Sequence, residues 1–276
     1  MIKPVTLSIC IITFNEEANL GRTLESVSGL VKQTKGEIIV VDSGSTDRTV
    51  EIAKSYGAKV FAEPWKGYPG QKNSAIEKGG GDWILLLDAD EVPSQELASE
   101  ILAVVEGKKN GPVGFWMRRK NLFLDRFLMH GGDYPDPKLR LFRRGTGRVE
   151  DRLVHETIEL KGPTGTLAGE LLHYGHPTLD GFIEHQNRYS TLGAQMAVKD
   201  GKRGFSFINI VIRPPLTFFY NYLLRLGFLD GKAGLLHHIN HAVYVSWKYA
   251  KVWEMTREAN SPEANSPQRQ RDTEKN

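Results

Sequence analysis

The sequence places three carboxylates directly after an apolar run, in the stretch WILLLDADEVP. The four residues Ile84 to Leu87 have the character of a strand that is buried on both faces of a parallel sheet. Asp88 and Asp90 then project from the end of this strand into one small volume, where two like charges repel unless a cation lies between them. The spacing therefore predicts a bound cation at the end of this strand.

Other polar residues stand where the neighbouring strands are predicted to end. Taken singly, Asn15 could cap a helix and Asp42 could form an Asx-turn. Because the carboxyl ends of parallel strands meet at one edge of a sheet, ligands collect there. The convergence of seven such residues predicts a binding site: Thr13, Asn15 and Glu16 after the first strand, Asp42 and Ser43 after the second, and Asp88 and Asp90 after the fourth.

The motifs of several nucleotide-binding classes are missing from this sequence. The first strand is followed by TFNEEAN rather than a glycine-rich dinucleotide turn, and no Walker loop is present, which argues against a triphosphatase and against sugar-nucleotide synthesis. Paired aspartates with Lys72 nearby suit a divalent ion, Mg²⁺ or Mn²⁺, that holds a diphosphate through hard oxygen ligands. We therefore expect a nucleoside diphosphate that carries another group.

The elements that must position these residues alternate between strands and helices over residues 7 to 88. Apolar strands are followed by polar turns and by amphipathic helices such as NLGRTLESVSGL. Ser45 or Thr46 is placed to cap the helix that follows the second strand. This alternation predicts an α/β fold with a mostly parallel sheet flanked by helices, and the later stretches VGFWMRRKNLFL and KLRLFRR predict an antiparallel extension.

The amino-acid composition limits which class of protein this can be and in which compartment it is expected. A chain of 276 residues with 40% hydrophobic residues can bury a full core. Its single cysteine, Cys10, cannot form an intramolecular disulfide, which favours a reducing compartment. The N-terminal apolar run is too short for a secretory signal or a membrane span. We therefore expect a cytoplasmic protein, and the net charge of only +3 gives no reason to expect a nucleic-acid partner.

The basic residues are concentrated in the stretch from Lys202 to Lys251, where they stand among aromatic and aliphatic side chains. Arg213, Arg225 and two prolines interrupt this stretch, so it does not form a continuous apolar span. The mixture is typical of a surface in an anionic lipid headgroup layer, although a buried helical subdomain has a similar composition. The final residues, 258–276, are polar and are expected to be disordered.

The ordered motifs ITFNEEANL, VVDSGSTDRT, GQKNSA and LLLDADE resemble those of the family 2 GT-A glycosyltransferases. Within that family the sequence is similar to the bacterial lipopolysaccharide-core β-glycosyltransferases of the KdtX/WaaE type, through YPDPKLRLFRR, VEDRLVHE, LLHYGHPTL and GFLDGKAGL. The resemblance implies a GT-A fold with a C-terminal helical extension. We expect a nucleotide-sugar half at 1–110, an acceptor half at 111–200, a basic helical extension at 201–257 and a tail at 258–276.

The resemblance also implies roles for single residues. His173 is similar to a late histidine that completes the metal site in this family, although it could instead be a hydrogen-bonded structural imidazole. The remaining roles follow the motifs: Thr13, Asn15, Glu16, Asp42 and Ser43 at the nucleoside, Lys72 near the diphosphate, Asp88 at the ribose or the metal, and Asp90 at the metal.

An inverting sugar transfer also needs a base that takes the proton of the acceptor hydroxyl. Glu156 in VHE is the predicted base, and Asp151 in VED is the alternative. Either carboxylate could instead form a salt bridge with Arg148 or Arg152.

The predicted enzyme lies on the cytoplasmic face of the inner membrane as a peripheral protein. It moves a sugar from a nucleoside-diphosphate sugar, with a UDP-sugar as the expected donor, to a lipid-linked glycan such as the lipopolysaccharide inner core. The alternatives are transfer to a polyprenyl phosphate or another polysaccharide, and a non-catalytic protein that binds nucleotide sugars.

Overall fold

A computed structural model describes residues 6–107, 111–150 and 157–259. The chain divides into two compact units, and unit 1 consists of Met1–Met129 and Asp133–His176. Unit 2 consists of His130–Gly132 and Pro177–Asn276. The sequence also predicts which regions bind the donor and the acceptor and which form the extension. This functional division stays a prediction. From residue 260 onward, the predicted tail lies outside the described residues.

Four parallel strands form the first part of the sheet in unit 1, as predicted. Their spatial order is third, second, first, fourth, with Thr13 paired with Asp42 and Ile12 paired with Asp88. The carboxyl ends that carry the predicted site residues are therefore side by side. The strands are β1 (Leu7–Thr13), β2 (Glu37–Asp42), β3 (Lys59–Ala62) and β4 (Trp83–Asp88).

Helices cover both faces of these strands, because side chains alternate along each strand. On one face Leu24 of the first helix belongs to the same buried cluster as Ile9 and Ile11. On the other face Cys10 packs with Ala75, and its thiol donates a hydrogen bond to the Ala75 carbonyl (3.3 Å). Cys10 is therefore a small core residue. The helices of unit 1 are α1 (Leu20–Thr34), α2 (Thr49–Ser55), α3 (Gly67–Lys78) and α4 (Gln95–Glu106).

The predicted cap of α2 by Ser45 or Thr46 is wrong. Arg48 is the residue at the N-cap, and Asp47 before it binds the first turn instead, because its Oδ1 atom accepts a hydrogen bond from the backbone N–H of Thr49 (3.0 Å). The Ser45 hydroxyl instead donates to the Asp42 carboxylate (2.5 Å). The serine thus orders the turn after β2 rather than the start of the helix.

The antiparallel extension is confirmed, and it continues the same sheet. The strand Asp136–Arg143 pairs antiparallel with β4 on one side and with the strand Gly114–Phe123 on the other. The strand Thr164–His176 lies between Gly114–Phe123 and Glu91–Pro93. This topology brings residues from distant parts of the sequence beside the end of β4. The strands of the extension are β5 (Glu91–Pro93), β6 (Gly114–Phe123), β7 (Arg126–Phe127), β8 (Asp136–Arg143) and β11 (Thr164–His176), whereas β9 (Gly147–Val149) and β10 (Ile158–Leu160) form a separate two-stranded antiparallel sheet.

Unit 2 is helical, as predicted for the C-terminal extension. Ala194, Ala197 and Val252 form a small buried cluster between its two long helices. Across the described part of the chain, every helix is too short or too polar to cross a membrane. The helices are α5 (Leu179–Lys199), α6 (Arg213–Phe219) and α7 (Gly231–Ala259), with π-helical turns at Ile208–Ile212 and Tyr220–Leu224 and a 3₁₀ turn at Gly227–Asp230.

Candidate active site

The turns after β1 and β2 are joined by hydrogen bonds around Asp42. The Thr13 hydroxyl donates to Asp42 Oδ2 (2.9 Å), and the backbone N–H groups of Gly44 and Ser45 donate to Asp42 Oδ1 (3.0 and 2.9 Å). Together with the Ser45 hydroxyl, the carboxylate accepts four hydrogen bonds, and Asp42 is only 2% exposed. Asp42 therefore orders the turns, and direct contact with a nucleoside would require one of these bonds to be exchanged.

Asn15 links the same two turns from the other side. Its backbone is in the left-handed region (φ 54°), and its side-chain carbonyl accepts a hydrogen bond from the Thr46 N–H (2.8 Å). Ser43 completes the group, because its hydroxyl accepts a hydrogen bond from the side-chain amide of Gln71 on α3 (2.9 Å). The structure thus brings Thr13, Asn15, Asp42 and Ser43 together.

Sequence reasoning missed Gln71. Its side chain is fully buried, and its Oε1 atom has no hydrogen-bond donor among the described residues. Buried carbonyl oxygens are normally paired, so this acceptor indicates a place where a ligand N–H could bind. The signal in the sequence was an amide directly before the predicted site residue Lys72, in the GQKNSA motif.

Glu16 lies beside these turns, in the loop that precedes α1. Its backbone N–H donates to the Thr49 hydroxyl (2.7 Å), and its carboxylate accepts a hydrogen bond from the Asn19 amide (3.2 Å). Burial raises the pKa of Glu16 to about 7, and the nearby negative charge of Asp90 adds to the effect. Glu16 therefore titrates close to neutral pH.

Asp88 is neutralised by side chains of the protein itself. Lys72 Nζ lies 2.9 Å from Oδ1, and an Arg140 nitrogen lies 2.5 Å from Oδ2. Burial alone would raise the pKa of Asp88, but the positive charges of Arg140 and Lys72 hold it well below its usual value. Asp88 thus has two cationic partners within the protein, and the predicted ion beside it stays a prediction. The roles of Asp88 and Lys72 toward a ligand stay predictions.

Arg140 is the second residue that sequence reasoning missed. The same guanidinium nitrogen that contacts Asp88 lies 2.6 Å from Glu91, which is fully buried and also pairs with Arg119 (3.1 Å). Glu91 in turn accepts a hydrogen bond from the Asp88 backbone N–H (3.1 Å). In the sequence, Arg140 stands between Leu139 and Leu141 in a predicted strand, and a charged side chain at a central strand position requires a buried acidic partner.

Asp90 and His173 form the part of the site that fits a metal ion. Asp90 Oδ2 lies 3.3 Å from Nε2 of His173, and the two side chains are 18% and 16% exposed. Burial would raise the pKa of Asp90, but the hydrogen bond and charge of His173 lower it. The strand order explains this meeting, because His173 on β11 is the register partner of Glu91 on β5.

Asn121 determines which ring nitrogen of His173 faces Asp90. The Asn121 amide nitrogen lies 3.4 Å from the Asp136 carboxylate, which can only accept, so its oxygen faces His173 Nδ1 (2.8 Å). Nδ1 then donates, so Nε2 either carries a proton that it donates to Asp90 or presents a lone pair to a metal ion. Two acceptors this close require a shared cation, either a proton or a metal ion. Carboxylate and imidazole ligands suit Mn²⁺ and tolerate Mg²⁺.

The two candidate bases, Asp151 and Glu156, lie outside the described residues, so their roles stay predictions. The described residues on either side are held firmly, because Val149 of β9 pairs with Ile158 of β10. In addition, Asn73 of α3 exchanges two hydrogen bonds with the backbone of Val149, each 2.9 Å long. The strand that precedes this segment is therefore attached to the helix that carries Lys72.

The family model of glycosyl transferase family 2 matches residues 8–158 of the chain. The chain belongs to glycosyl transferase family 2. It is therefore a glycosyltransferase, and unit 1 has the α/β GT-A arrangement that the motifs predict.

Two relatives resemble this family 2 glycosyltransferase over most of its length. It is 35% identical over 266 residues to the lipopolysaccharide core biosynthesis glycosyltransferase LpsC of Rhizobium meliloti, covering 92% of this chain and 94% of the relative. It is 31% identical over 266 residues to an uncharacterized glycosyltransferase of Rickettsia typhi, covering 91% and 87%. A solved mannosyltransferase from Pyrobaculum calidifontis, in complex with GDP-Man and Mn²⁺, is 16% identical with a TM-score of 0.49, covering 96% and 78%.

Proposed function

We propose that this glycosyltransferase moves a sugar, with inversion, from a nucleoside-diphosphate sugar to a lipid-linked glycan of the lipopolysaccharide-core type. The observation that carries the proposal is the meeting of the β1 and β2 turns with Asp88, Asp90 and His173 at one edge of the sheet. The similarity to LpsC supports the class of acceptor. The proposed place of action is the cytoplasmic face of the inner membrane, and a UDP-sugar is the proposed donor.

In this proposal the donor lies across the carboxyl edge of β1, β2 and β4. The turns around Thr13, Asn15 and Asp42 receive the nucleoside, and an N–H group of its base satisfies the buried Oε1 of Gln71. Glu16 and Ser43 line the same turns. Asp88 accepts a hydrogen bond from the ribose. Lys72 lies close enough to the diphosphate for its positive charge to offset part of the negative charge of the phosphates.

Asp90 and His173 would hold a divalent ion, Mg²⁺ or Mn²⁺. When bound, this ion stabilises the negative charge that develops on the leaving diphosphate. The acceptor oxygen attacks the anomeric carbon as the bond from that carbon to the β-phosphate oxygen breaks, and the electron pair remains on the phosphate. Glu156, or alternatively Asp151, takes the hydroxyl proton.

Metal binding can be measured without turnover. Asp90→Asn should lower the affinity for Mn²⁺ by at least about tenfold, and Asn121→Ala should lower it by a similar factor because His173 loses its orientation. Mn²⁺ titration followed by electron paramagnetic resonance measures both, with circular dichroism to confirm the fold. Wild-type Mn²⁺ affinity in Asp90→Asn, or full turnover in excess chelator, would show that the metal assignment is wrong.

The reaction itself is tested with purified protein, a panel of sugar nucleotides, a truncated lipid acceptor and metal. We expect free nucleoside diphosphate and a glycosylated lipid, with the donor's anomeric configuration inverted in the NMR spectrum of the product. A protein that retains the sugar nucleotide without releasing nucleoside diphosphate would be a binding protein. Turnover that requires a polyprenyl phosphate would support the alternative acceptor.

Paired variants separate the two candidate bases. Glu156→Gln should leave donor affinity near that of the wild type and slow transfer by about a hundredfold or more, because the amide cannot accept the proton. If Asp151→Asn is inactive while Glu156→Gln turns over normally, Asp151 is the base instead. Normal rates in both variants would contradict an inverting mechanism with a carboxylate base.

A further inference from the structure

Residues 205–229 of unit 2, called here the apolar segment, expose many large apolar side chains. Thirteen of them are at least 42% exposed, and Leu224, Ile208 and Leu216 reach 75%, 68% and 62%. Single exposed apolar residues are ordinary on protein surfaces, but a run of thirteen within 25 residues marks a surface that binds something.

The local structure explains why these side chains remain outside. Two π-helical turns flank α6, and Pro214 and Pro215 stand at its start. The first π-helical turn buries no residue, α6 buries only Pro214, and the second π-helical turn buries only Asn221. An amphipathic helix of a soluble domain would instead place its apolar stripe in the core.

A groove within unit 2 continues this apolar surface. It lies between α6 and α7, has a volume of about 540 Å³, and includes Pro214, Phe218, Val243 and Trp247 among its lining residues. The hydroxyl of Ser246, which also lines the groove, already donates to the Ile210 carbonyl (2.9 Å). A groove with walls of this kind suits a hydrocarbon chain better than a polar ligand.

Within the stretch of sequence that contains the apolar segment, the exposed charges have one sign. Between residues 201 and 232 the exposed charged side chains are all basic: Lys202, Arg203, Arg213, Arg225 and Lys232. Asp230, the acidic residue of this stretch, is 2% exposed and accepts a hydrogen bond from the His130 N–H (2.8 Å). A symmetric contact between two copies would bring like charges together, whereas anionic lipid headgroups would neutralise them.

We propose that the apolar segment lies in the surface of an anionic phospholipid bilayer and that the groove between α6 and α7 holds one acyl chain of that bilayer. Arg213 and Arg225 interrupt the segment, so it suits a position in the plane of the interface rather than a span. This binding needs neither donor nor acceptor. Vesicles alone therefore test it, whatever the outcome for sugar transfer.

The first experiment measures the co-sedimentation of the full chain with vesicles. Vesicles that contain phosphatidylglycerol should bind the protein at least about tenfold more strongly than pure phosphatidylcholine vesicles, and added salt should weaken the binding. Leu224→Glu and Ile208→Glu should each lower the partition coefficient about tenfold, because each places a charge in the apolar layer. Both side chains are largely exposed, so the melting temperature should not change.

Ile183→Glu is the matched control. Ile183 is 36% exposed on α5 of the same unit but lies outside the apolar segment, and this variant should bind vesicles as the wild type does. An equal loss in Ile183→Glu, or wild-type binding by Leu224→Glu and Ile208→Glu, would overturn the proposed surface. A dimer in light scattering that Leu224→Glu dissociates, without vesicle binding by the wild type, would assign the surface to a second copy of the chain.

The second experiment tests the groove with phospholipids brominated on the acyl chain, which quench nearby tryptophans. Quenching of the wild-type protein should fall strongly in Trp247→Phe, because Trp247 lines the groove. It should persist in Trp65→Phe, since Trp65 belongs to unit 1 and does not line the groove. Unchanged quenching in Trp247→Phe would show that no acyl chain occupies the groove.

Discussion

At the scale of single residues, the site is a set of buried and half-buried charges that balance one another. Asp88, Glu91 and Asp136 contact Arg119 and Arg140, and Lys72 completes the set at Asp88. Removing one member of such a set leaves an uncompensated charge in a poorly solvated place, which costs more than the pair contributed. The network therefore holds the ends of β4 and β5 in place for binding.

Arg140→Met tests this balance. The variant should lower the free energy of unfolding by about 3–5 kcal/mol, because the carboxylates of Asp88 and Glu91 lose their shared partner. Urea denaturation measures the change, and Lys32→Met on the exposed face of α1 should change it by less than about 0.5 kcal/mol. Adding Glu91→Gln should restore part of the loss. If the double variant is less stable than Arg140→Met, the charges are not balanced as described.

Glu16 makes the stability of the protein depend on pH. Its pKa is raised from 4.5 to about 7 in the folded state, so the folded protein holds a proton that the unfolded chain releases. The free energy of unfolding should therefore fall as the pH rises from 4.5 to 7, and the loss should be complete above 7. Because Glu16 is partly exposed to solvent, the fall in the free energy of unfolding should be only about 1–2 kcal/mol.

Glu16→Gln removes this titration. Relative to the wild type, the variant should become more stable by about 1–2 kcal/mol between pH 4.5 and pH 8, measured by urea denaturation in the presence of chelator. A constant difference between the two proteins across this range would contradict the raised pKa.

At the scale of elements, hydrogen bonds from single side chains connect one helix and three strands. Asn73 connects α3 to β9, and the β1 and β2 turns are joined by Asp42 and Asn15. Such bonds determine the position of a loop more strictly than apolar packing does, because each one has a required direction. The predicted bases follow directly after one of these attachments.

Asn73→Ala should lower the free energy of unfolding by about 2–4 kcal/mol, since two buried backbone groups of Val149 lose their partners. Hydrogen exchange of the Val149 amide should also become faster. Asn240→Ala is the control, because the Asn240 amide donates an exposed hydrogen bond to the Leu236 carbonyl within α7. Unchanged exchange at Val149 in Asn73→Ala would show that this attachment does not hold β9.

At the scale of the whole molecule, the two units use their charges differently. In unit 1 the basic side chains beside the site are paired with buried carboxylates, whereas in unit 2 the basic side chains around the apolar segment are exposed. The small net charge of +3 therefore conceals two distinct arrangements.

Residues 260–276 should contribute little to either unit. Their sequence contains no large apolar residue that could offset the entropy of ordering them. A chain that ends at Ala259 should keep the melting temperature within about 1 °C and keep its transferase activity. A clear drop in melting temperature on truncation would show that these residues pack on the rest of the protein.

The sequence by itself determined the alternation of β1 to β4 with helices and the polar edge at the carboxyl ends of these strands. Apolar runs, polar turns and the strand period are local properties, so they suffice to place Thr13, Asn15, Asp42 and Asp88 at the ends of strands. The family motifs extended this to His173. The cap of α2 was mispredicted because Ser45 and Asp47 are both good capping residues, and local spacing does not choose between them.

Only the tertiary structure decided what neutralises Asp88 and what orients His173. Arg140 reaches Asp88 because β8 pairs with β4, and Asn121 reaches His173 because β6 pairs with β11. Each pair is separated by 52 residues along the chain. The register between distant strands depends on the packing of the entire sheet, and no local pattern in either strand specifies it.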